Sequence, residues 1–208
     1  MPILAAGFSA FPGAPVNPTE DLAKALADGS AAPRGAVEAI VLPVEWAGSW
    51  PALRAAIERA RPRTVLLFGL HARAERFRVE LVARNHRELG RPDAVNGFPA
   101  GPSILDGPPT LPARLPWDRV AAALRAADVD FEWSTNAGSY LCNETLYRLA
   151  FHAEALGVEQ FGFFHMPMSD ERIPEFATAD ALPEVFLSLP FAQMVRAAGA
   201  LIGELGGA

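Results

Sequence analysis

Cysteine is almost absent from this sequence: Cys142 is the only one among 208 residues. A disulfide within the chain and a cysteine-rich zinc site are therefore both excluded. A single unpaired thiol is typical of proteins that work in a reducing compartment. We therefore expect a cytoplasmic location.

Long apolar runs and concentrated positive charge are also missing. No stretch approaches the roughly 18 uninterrupted apolar residues of a membrane-spanning helix, and no basic segment precedes the first apolar stretch, as it would in a signal peptide. The 18 Lys and Arg residues, almost all Arg, are scattered and outnumbered by 24 Asp and Glu, which gives a net charge of −6. Nucleic-acid binding requires clustered positive charge. We therefore expect neither a membrane nor a nucleic acid as a partner.

The composition is that of a folded protein rather than a disordered one. Half of the residues are hydrophobic and 20% are charged, which provides enough apolar material for a buried core. Domains average roughly 150 residues, so a chain of this length is expected to form one domain. The prediction is a single domain over residues 1–208.

Short apolar runs alternate with amphipathic stretches, which is typical of βα units around a largely parallel sheet. The run at 64–68 is continuously apolar and predicts a buried central strand, whereas 77–82 alternates and predicts a strand that reaches toward solvent. Residues 90–116 are dense in Pro and Gly and predict an ordered excursion or a lid. The other predicted strands are 3–8, 36–43, 129–133 and 161–164, and the predicted helices are 19–29, 49–62, 117–127, one after Cys142, and 195–205.

Cys142 is the first candidate for chemistry. It lies near the end of a segment rich in small and polar residues, 134–143, that follows a predicted strand and precedes a predicted helix. Free N–H groups and the macrodipole at a helix N-terminus favour a thiolate and can also hold an oxyanion. The alternative is that Cys142 is a small buried hydrophobe, as many free cysteines are.

A nucleophilic cysteine needs a base, and His165 is the preferred one. It follows the apolar run 161–164, at the strand end where open α/β sheets place their sites. His152 is about 15 Å along the helix axis from Cys142 and is too far away. His71 and His86 lie in polar, Arg-rich stretches, where a solvated surface position is expected. For His165 itself, the alternative is a core histidine bonded to a backbone carbonyl.

A carboxylate that orients the imidazole would complete such a site. Glu80 is a candidate because it lies between apolar residues in the predicted strand 77–82. The alternative is a surface glutamate paired with an arginine. Periodicity alone does not decide between Glu80 and Glu75.

Four segments of the chain carry motifs in the order that a known protein family has them: 7–13 with 16–18, 80–85, 137–143 with Tyr147, and 162–167. Over about residues 3–170 the sequence resembles the pyroglutamyl peptidase I family of cysteine peptidases. The resemblance implies a three-layer α/β/α sandwich around a twisted, mostly parallel sheet. It also implies Cys142 as nucleophile, His165 as general base and acid, and Glu80 as the orienting carboxylate. Members of the family use no metal or cofactor, commonly form homodimers or homotetramers, and remove an N-terminal pyroglutamyl group from small blocked peptides through a thioester.

The resemblance also assigns residues to substrate binding. Phe8 and Phe11 match positions that line the pocket for the lactam ring, and Asn17 matches a residue that supports the loop carrying them. The family has a Gly-Gln-Ala-Gly-Gly-Arg type of loop whose Gln contacts the lactam amide, whereas residues 69–76 here contain no Gln. Either His71 supplies a substitute hydrogen bond, or the pocket accepts another acyl group.

Three functions therefore remain open from the sequence. The leading one is a cysteine exopeptidase that removes pyroglutamyl groups. The second is a related cysteine amidase or hydrolase that acts on a different small N-acyl substrate, which the missing Gln favours. The third is a catalytically silent binding module on the same fold.

Overall fold

The structure, a computed structural model, describes residues 3–31 and 37–206, in which helices are interspersed among strands. The strands are β1 (Ile3–Phe8), β2 (Val37–Leu42), β3 (Thr64–Leu70), β4 (Phe77–Glu80), β5 (Val82–Arg84), β6 (Thr110–Pro112), β7 (Phe131–Ser134), β8 (Gln160–Met166), β9 (Met168–Ser169) and β10 (Ser188–Leu189). The helices are α1 (Pro18–Asp28), α2 (Ser49–Ala60), α3 (Trp117–Ala126), α4 (Leu141–His152), α5 (Ile173–Thr178) and α6 (Phe191–Gly206), with a 3₁₀ turn at Asp170–Arg172.

Six strands form the central sheet in the order β2-β1-β3-β8-β4-β7. The strands β2, β1, β3 and β8 are mutually parallel, β4 pairs antiparallel with β8, and β7 is parallel to β4. All seven residues of β3 are buried, which explains why its sequence is apolar without alternation. The predicted α/β fold with a mostly parallel sheet is confirmed.

Helices cover both faces of the sheet. One apolar cluster packs α2 and α4 against one face, and a second packs α1, α3 and α6 against the other. Alternate residues of β3 divide between them: Val65 and Leu67 belong to the first cluster, and Leu66 and Phe68 to the second. These two cores on opposite faces make the three-layer sandwich.

The prediction that strand 77–82 reaches toward solvent is wrong. The strand β4 lies inside the sheet between β8 and β7, and Phe77, Val79 and Glu80 are all buried. The alternation has another cause: Phe77 and Val79 enter the core beside α3 and α6, whereas Glu80 is buried against a histidine. The alternating polar residue thus marks an interior polar contact.

Most predicted boundaries lie close to the observed ones. The predicted strand 36–43 corresponds to β2 (Val37–Leu42), and residue 36 lies outside the described residues. The strand predicted at 129–133 is observed slightly later, from Phe131 to Ser134. The final helix begins earlier than predicted, at Phe191, directly after a proline.

Residues 90–116 form an ordered excursion that packs on α4. Within it, β6 pairs antiparallel with β5. Arg87, which is buried just before it, donates to both carboxylate oxygens of Glu144 at 2.9 and 3.1 Å and to the carbonyl of Ser103 at 2.9 Å. Asp93 is also buried and accepts hydrogen bonds from the backbone N–H groups of Trp46 and Gly97. These buried polar groups fix a segment that has little regular structure of its own.

The longest helix among the described residues is α6. The helix α6 has 16 residues, fewer than the roughly 20 that a bilayer requires. Within 3–31 and 37–206, no helix is both long and apolar enough to cross a membrane.

Candidate active site

Cys142 is the second residue of α4, as the sequence predicts. The residue before the helix, Tyr140, is extended (φ −105°, ψ −162°) and supplies no side-chain cap, so the first N–H groups of the helix stay available. Gly138, with φ +82°, makes the left-handed turn that leads into the helix. The Cys142 side chain is half-buried and lies beside a cavity.

His165 and Glu80 meet on neighbouring antiparallel strands, β8 and β4. His165 Nδ1 lies 2.8 Å from Glu80 Oε1, and both side chains are almost fully buried. With Nδ1 engaged by the carboxylate, Nε2 remains available to Cys142, which lines the same cavity as His165 and acts on the pKa of its imidazole. The structure therefore brings the three sequence candidates together: Cys142 and His165 line one cavity, and Glu80 contacts the imidazole of His165.

Electrostatics favour the protonated form of this imidazole. Burial alone would lower the pKa of His165, but the charge of Cys142, its hydrogen bond and the contact with Glu80 raise this pKa to about 9. Burial likewise works against an ionised Glu80, yet the hydrogen bond and charge of His165 lower the pKa of its carboxyl below the ordinary value. At neutral pH the pair is an imidazolium held by a carboxylate.

A cavity of about 600 Å³ opens beside the thiol. The predicted site residues on its wall are Phe8, Phe11, Asn17, His71, Cys142 and His165. Glu80 lies behind His165 and does not line the cavity. The excluded histidine, His152, lines a different cavity and stacks on Trp50 with ring centroids 5.2 Å apart.

The two phenylalanines reach the cavity from different directions. The ring of Phe8 packs 6.0 Å from that of Phe163, which in turn lies 4.7 Å from the His165 ring. Phe11 packs 5.9 Å from the ring of Tyr140. Aromatic rings thus make an apolar wall on the strand side and on the helix side.

Asn17 supports the loop between β1 and α1. It is the N-cap of α1: its Oδ1 accepts from the Thr19 N–H at 3.1 Å and from the Thr19 hydroxyl at 2.8 Å. Its Nδ2 donates to the Ser9 carbonyl at 3.1 Å. Because its amide is used in these contacts, Asn17 fixes the loop that carries Phe11 at the cavity.

The expectation of a solvated surface position holds for His86, which is exposed, and is wrong for His71. His71 follows β3, lines the cavity, and places its ring centroid 5.4 Å from that of His165. Its Nε2 lies 3.1 Å from Nη1 of Arg78. Burial, together with the charges of His165 and Arg78, lowers the pKa of His71 to about 4. The signal that could have identified its place at the cavity was its position directly after a central strand.

Two further residues at the site were not identified from the sequence. Arg91 lines the cavity, and its guanidinium lies 4.0 Å over the ring of Tyr140. Among the described residues no carboxylate lies within ion-pair distance of Arg91, so its charge is available to the cavity. Gly69 is the other: a Cβ there would lie 2.6 Å from the Phe163 ring and 3.2 Å from Cys142 Sγ. The sequence signal for Gly69 was its position at the end of a predicted buried strand.

Metal chemistry finds no ligand set in the part of the chain that the structure describes. Across residues 3–31 and 37–206, no three His, Cys, Asp or Glu side chains come together in a way that could hold an ion. The titratable side chains that line the cavity are those of His71, Arg73, Glu88, Arg91, Tyr140, Cys142, His165 and Asp180.

Comparisons with known proteins identify the family of this chain. The profile of the family described as pyroglutamyl peptidase matches residues 1–203. A pyrrolidone-carboxylate peptidase of Streptomyces coelicolor is 36% identical over 185 residues, which cover 87% of this chain and 84% of that protein, and one of Halalkalibacterium halodurans is 31% identical with 98% of each chain covered. The crystal structure of a mutant pyrrolidone carboxyl peptidase from P. furiosus superposes with a TM-score of 0.86 at 26% identity, covering 99% of this chain and 98% of that one. The chain belongs to the pyroglutamyl peptidase family.

Proposed function

We propose that this protein is a cysteine exopeptidase that removes the N-terminal pyroglutamyl residue from peptides. The observation that carries the proposal is the set of groups at the cavity: Cys142 at the start of a helix lines the same cavity as a buried imidazole, which lies 2.8 Å from Glu80. A nucleophile, a base and an orienting acid in that order are the requirements of acyl transfer.

The first half of the reaction forms a thioester. The Cys142 thiolate attacks the carbonyl carbon that follows the lactam ring, and the C=O electron pair moves onto oxygen. N–H groups in the first turn of α4 receive this oxyanion, and the positive charge of Arg91 faces the same cavity. As the C–N bond breaks, protonated His165 gives its proton to the departing amine. The products are a shortened peptide with a free amino terminus and a pyroglutamyl thioester on Cys142.

The second half returns the enzyme to its starting state. Neutral His165 takes a proton from water as the water oxygen attacks the thioester carbonyl. Collapse of this second intermediate breaks the C–S bond, which releases pyroglutamate and leaves Cys142 as a thiolate beside protonated His165. Glu80 stabilises the imidazolium that is present before acylation and again after hydrolysis.

We propose that the apolar part of the cavity wall binds the pyroglutamyl ring. The ring is small, flat and uncharged, so apolar walls with a few directed hydrogen bonds suffice to bind it. We assign Phe8 and Phe11 to these walls and Asn17 to the support of the loop between them. His71 also lines the cavity: its Nε2 is engaged by Arg78, and its buried Nδ1 has no hydrogen-bond partner among the described residues.

A second candidate function follows from one observation. Leu70, the last residue of β3, lines the cavity at the position where the resemblance places the family's Gln, and a leucine side chain has no hydrogen-bonding group. A buried lactam amide without a hydrogen-bond partner costs roughly 1–3 kcal/mol of binding free energy. A related hydrolase that acts on another small N-acyl group is therefore the alternative.

The cellular setting of the proposal follows from composition and resemblance. We propose a cytoplasmic enzyme that acts on small peptides and forms a homodimer or homotetramer. The single cysteine supports a reducing compartment, and the net charge of −6 argues against a nucleic-acid partner.

A substrate panel separates the candidates. The same fluorogenic amine would be attached to pyroglutamyl, prolyl, acetyl-alanyl and formyl-methionyl groups, and kcat/KM measured for each with purified protein. The proposal predicts the highest kcat/KM for the pyroglutamyl compound. A higher value for another acyl amide would replace the substrate and keep the chemistry, whereas no turnover of any member together with slow alkylation of Cys142 would favour a binding module.

A further inference from the structure

Arg78 stands at the centre of a polar cluster behind the candidate site. It pairs with His165 in the register of β4 and β8, and its side chain is only 19% exposed. Its Nη2 donates to Ser134 Oγ at 2.8 Å, and its Nε lies at ion-pair distance, 3.1 Å, from Glu132. The remaining guanidinium nitrogen, Nη1, lies 3.1 Å from His71 Nε2.

The contact between Arg78 and His71 fixes the tautomer of the histidine. A guanidinium is always protonated and has only donors, so Nε2 of His71 must be the acceptor. A histidine that accepts at Nε2 and is neutral carries its proton on Nδ1. The lowered pKa of His71, about 4, agrees with a neutral ring at physiological pH.

The neutral ring of His71 packs against His165. Their planes are at 80° and their centroids 5.4 Å apart, an edge-to-face contact. The charged or titratable groups around the two rings are Arg78 and Glu80 on β4, Cys142 at the start of α4, Glu132 on β7 and Arg73 after β3. Held in this way, His71 blocks one direction in which His165 could turn away from Glu80.

We propose that Arg78 is a positioning residue, which holds His71 as the neutral Nδ1–H tautomer edge-on against His165 and thereby keeps His165 hydrogen-bonded to Glu80. Arg78 also lies 3.7 Å from Glu80 Oε1. Glu80 Oε2 is buried and makes no well-formed hydrogen bond among the described residues, although the Ser134 hydroxyl helps to lower the pKa of this carboxyl. The positive charge of Arg78 thus stabilises a carboxylate that has few other contacts. The consequence for catalysis rests on the proposed function, but the tautomer does not.

Removal of the guanidinium has a defined electrostatic consequence. Burial remains, but the hydrogen bond at Nε2 and the repulsion by Arg78 are lost, so the pKa of His71 rises toward the ordinary histidine value. As the pH falls, His71 then takes a proton and faces His165 as a second imidazolium. Two like charges at this distance disfavour protonated His165, which the leaving amine requires.

The tautomer is tested directly on the full chain by NMR. Long-range ¹H–¹⁵N spectra of protein labelled at the histidine ring nitrogens report which nitrogen carries the proton, with His71→Gln used for assignment. The expected result for the wild type is an Nδ1–H signal from His71 that does not titrate between about pH 5 and 8. An Nε2–H tautomer, or titration of wild-type His71 in that range, would overturn the proposal without any Arg78 variant.

The consequence for the site is tested with Arg78→Met, Arg78→Lys and the control Arg76→Met. Arg76 is half-exposed on the same segment and pairs with Asp130 outside the site. For Arg78→Met we expect titration of His71 and a fall in kcat of about tenfold to a hundredfold, typical of residues that orient a functional histidine. The acid limb of the kcat–pH profile should move up by about one unit. Arg78→Lys should recover part of both effects, and Arg76→Met should show neither.

Two outcomes separate this proposal from the proposed function. If neither the wild type nor any variant turns over pyroglutamyl substrates, the proposed function is wrong. The NMR result still decides the tautomer of His71 in that case. If the wild type is active and Arg78→Met keeps the wild-type kcat–pH profile, the positioning role of Arg78 is wrong.

Discussion

Glu80 Oε1 and His165 Nδ1 lie 2.8 Å apart although 85 positions separate the two residues in the sequence. The contact exists because β4 enters the sheet antiparallel to β8 and brings a carboxylate alongside the end of the apolar run that leads to His165. A buried imidazole whose Nδ1 contacts a buried carboxylate has a fixed ring orientation. The direction in which its Nε2 points is therefore fixed as well.

Replacing Glu80 by Gln should lower kcat with little change in KM. The amide keeps the shape of the side chain but removes the charge that stabilises the imidazolium, so we expect a loss of about a hundredfold to ten-thousandfold in kcat. Steady-state kinetics with a fluorogenic pyroglutamyl amide measures this. Glu75→Gln is the matched control, because Glu75 is exposed in the same segment, and a larger loss in that control would contradict the assignment.

Gly69→Ala should damage both the fold and the activity. The added Cβ would lie 2.6 and 2.8 Å from two atoms of the Phe163 ring and 3.2 Å from Cys142 Sγ, and Phe163 is buried against His165. Overpacking of this kind costs about 1–3 kcal/mol of unfolding free energy, which urea titration measures. Gly90→Ala is the control, since nothing lies near its added Cβ. Equal stability and kcat for both variants would argue against the described position of Phe163.

Glu144→Gln should destabilise the excursion at 90–116. The carboxylate of Glu144 is buried between Arg87 and Arg148, and its loss leaves the Arg87 guanidinium without its counter-charge. Breaking one partner of a buried ion pair costs about 3–5 kcal/mol. Urea unfolding, and proteolysis within the excursion, should both report the change. Glu154→Gln, at an exposed position just after α4, should be close to neutral; similar losses in both variants would mean that the buried pair contributes no more than a surface charge.

The stability of the protein should depend on pH through His165. Its folded pKa, about 9, is above the ordinary value of 6.5, so folding favours the protonated form. The resulting stabilisation is fully present below the unfolded pKa and is lost as the pH rises through the folded one. The unfolding free energy of the wild type should therefore fall more steeply between these two values than that of His165→Gln. Parallel curves would show that the pKa of His165 is not raised.

Local signals in the sequence were sufficient for much of the fold. The continuous apolar run of β3 predicted a buried strand, and the small residues before Cys142 predicted a helix start, because both features depend on neighbours in the chain. The order of strands was beyond such signals. The insertion of β4 between β8 and β7 follows from long-range pairing, which no local period encodes.

The site shows the same division between local and long-range information. Periodicity alone did not decide between Glu80 and Glu75, and it is the pairing of β4 with β8 that makes Glu80 the partner of His165. His71 was assigned to the surface because its neighbours are polar, yet it is half-buried at the cavity, where Arg78, seven residues later, contacts its ring. Arg91 likewise reaches the cavity from a segment whose path depends on the buried Arg87 and Asp93.

The most direct test of the proposed chemistry is the release of a fluorogenic amine from a pyroglutamyl amide by the wild type, Cys142→Ala and His165→Ala, each shown to be folded by circular dichroism. We predict turnover by the wild type and none above background for either variant, with rapid stoichiometric alkylation of Cys142 in the wild type by dilute iodoacetamide. Turnover that persists in Cys142→Ala would contradict the assignment of Cys142 as the nucleophile.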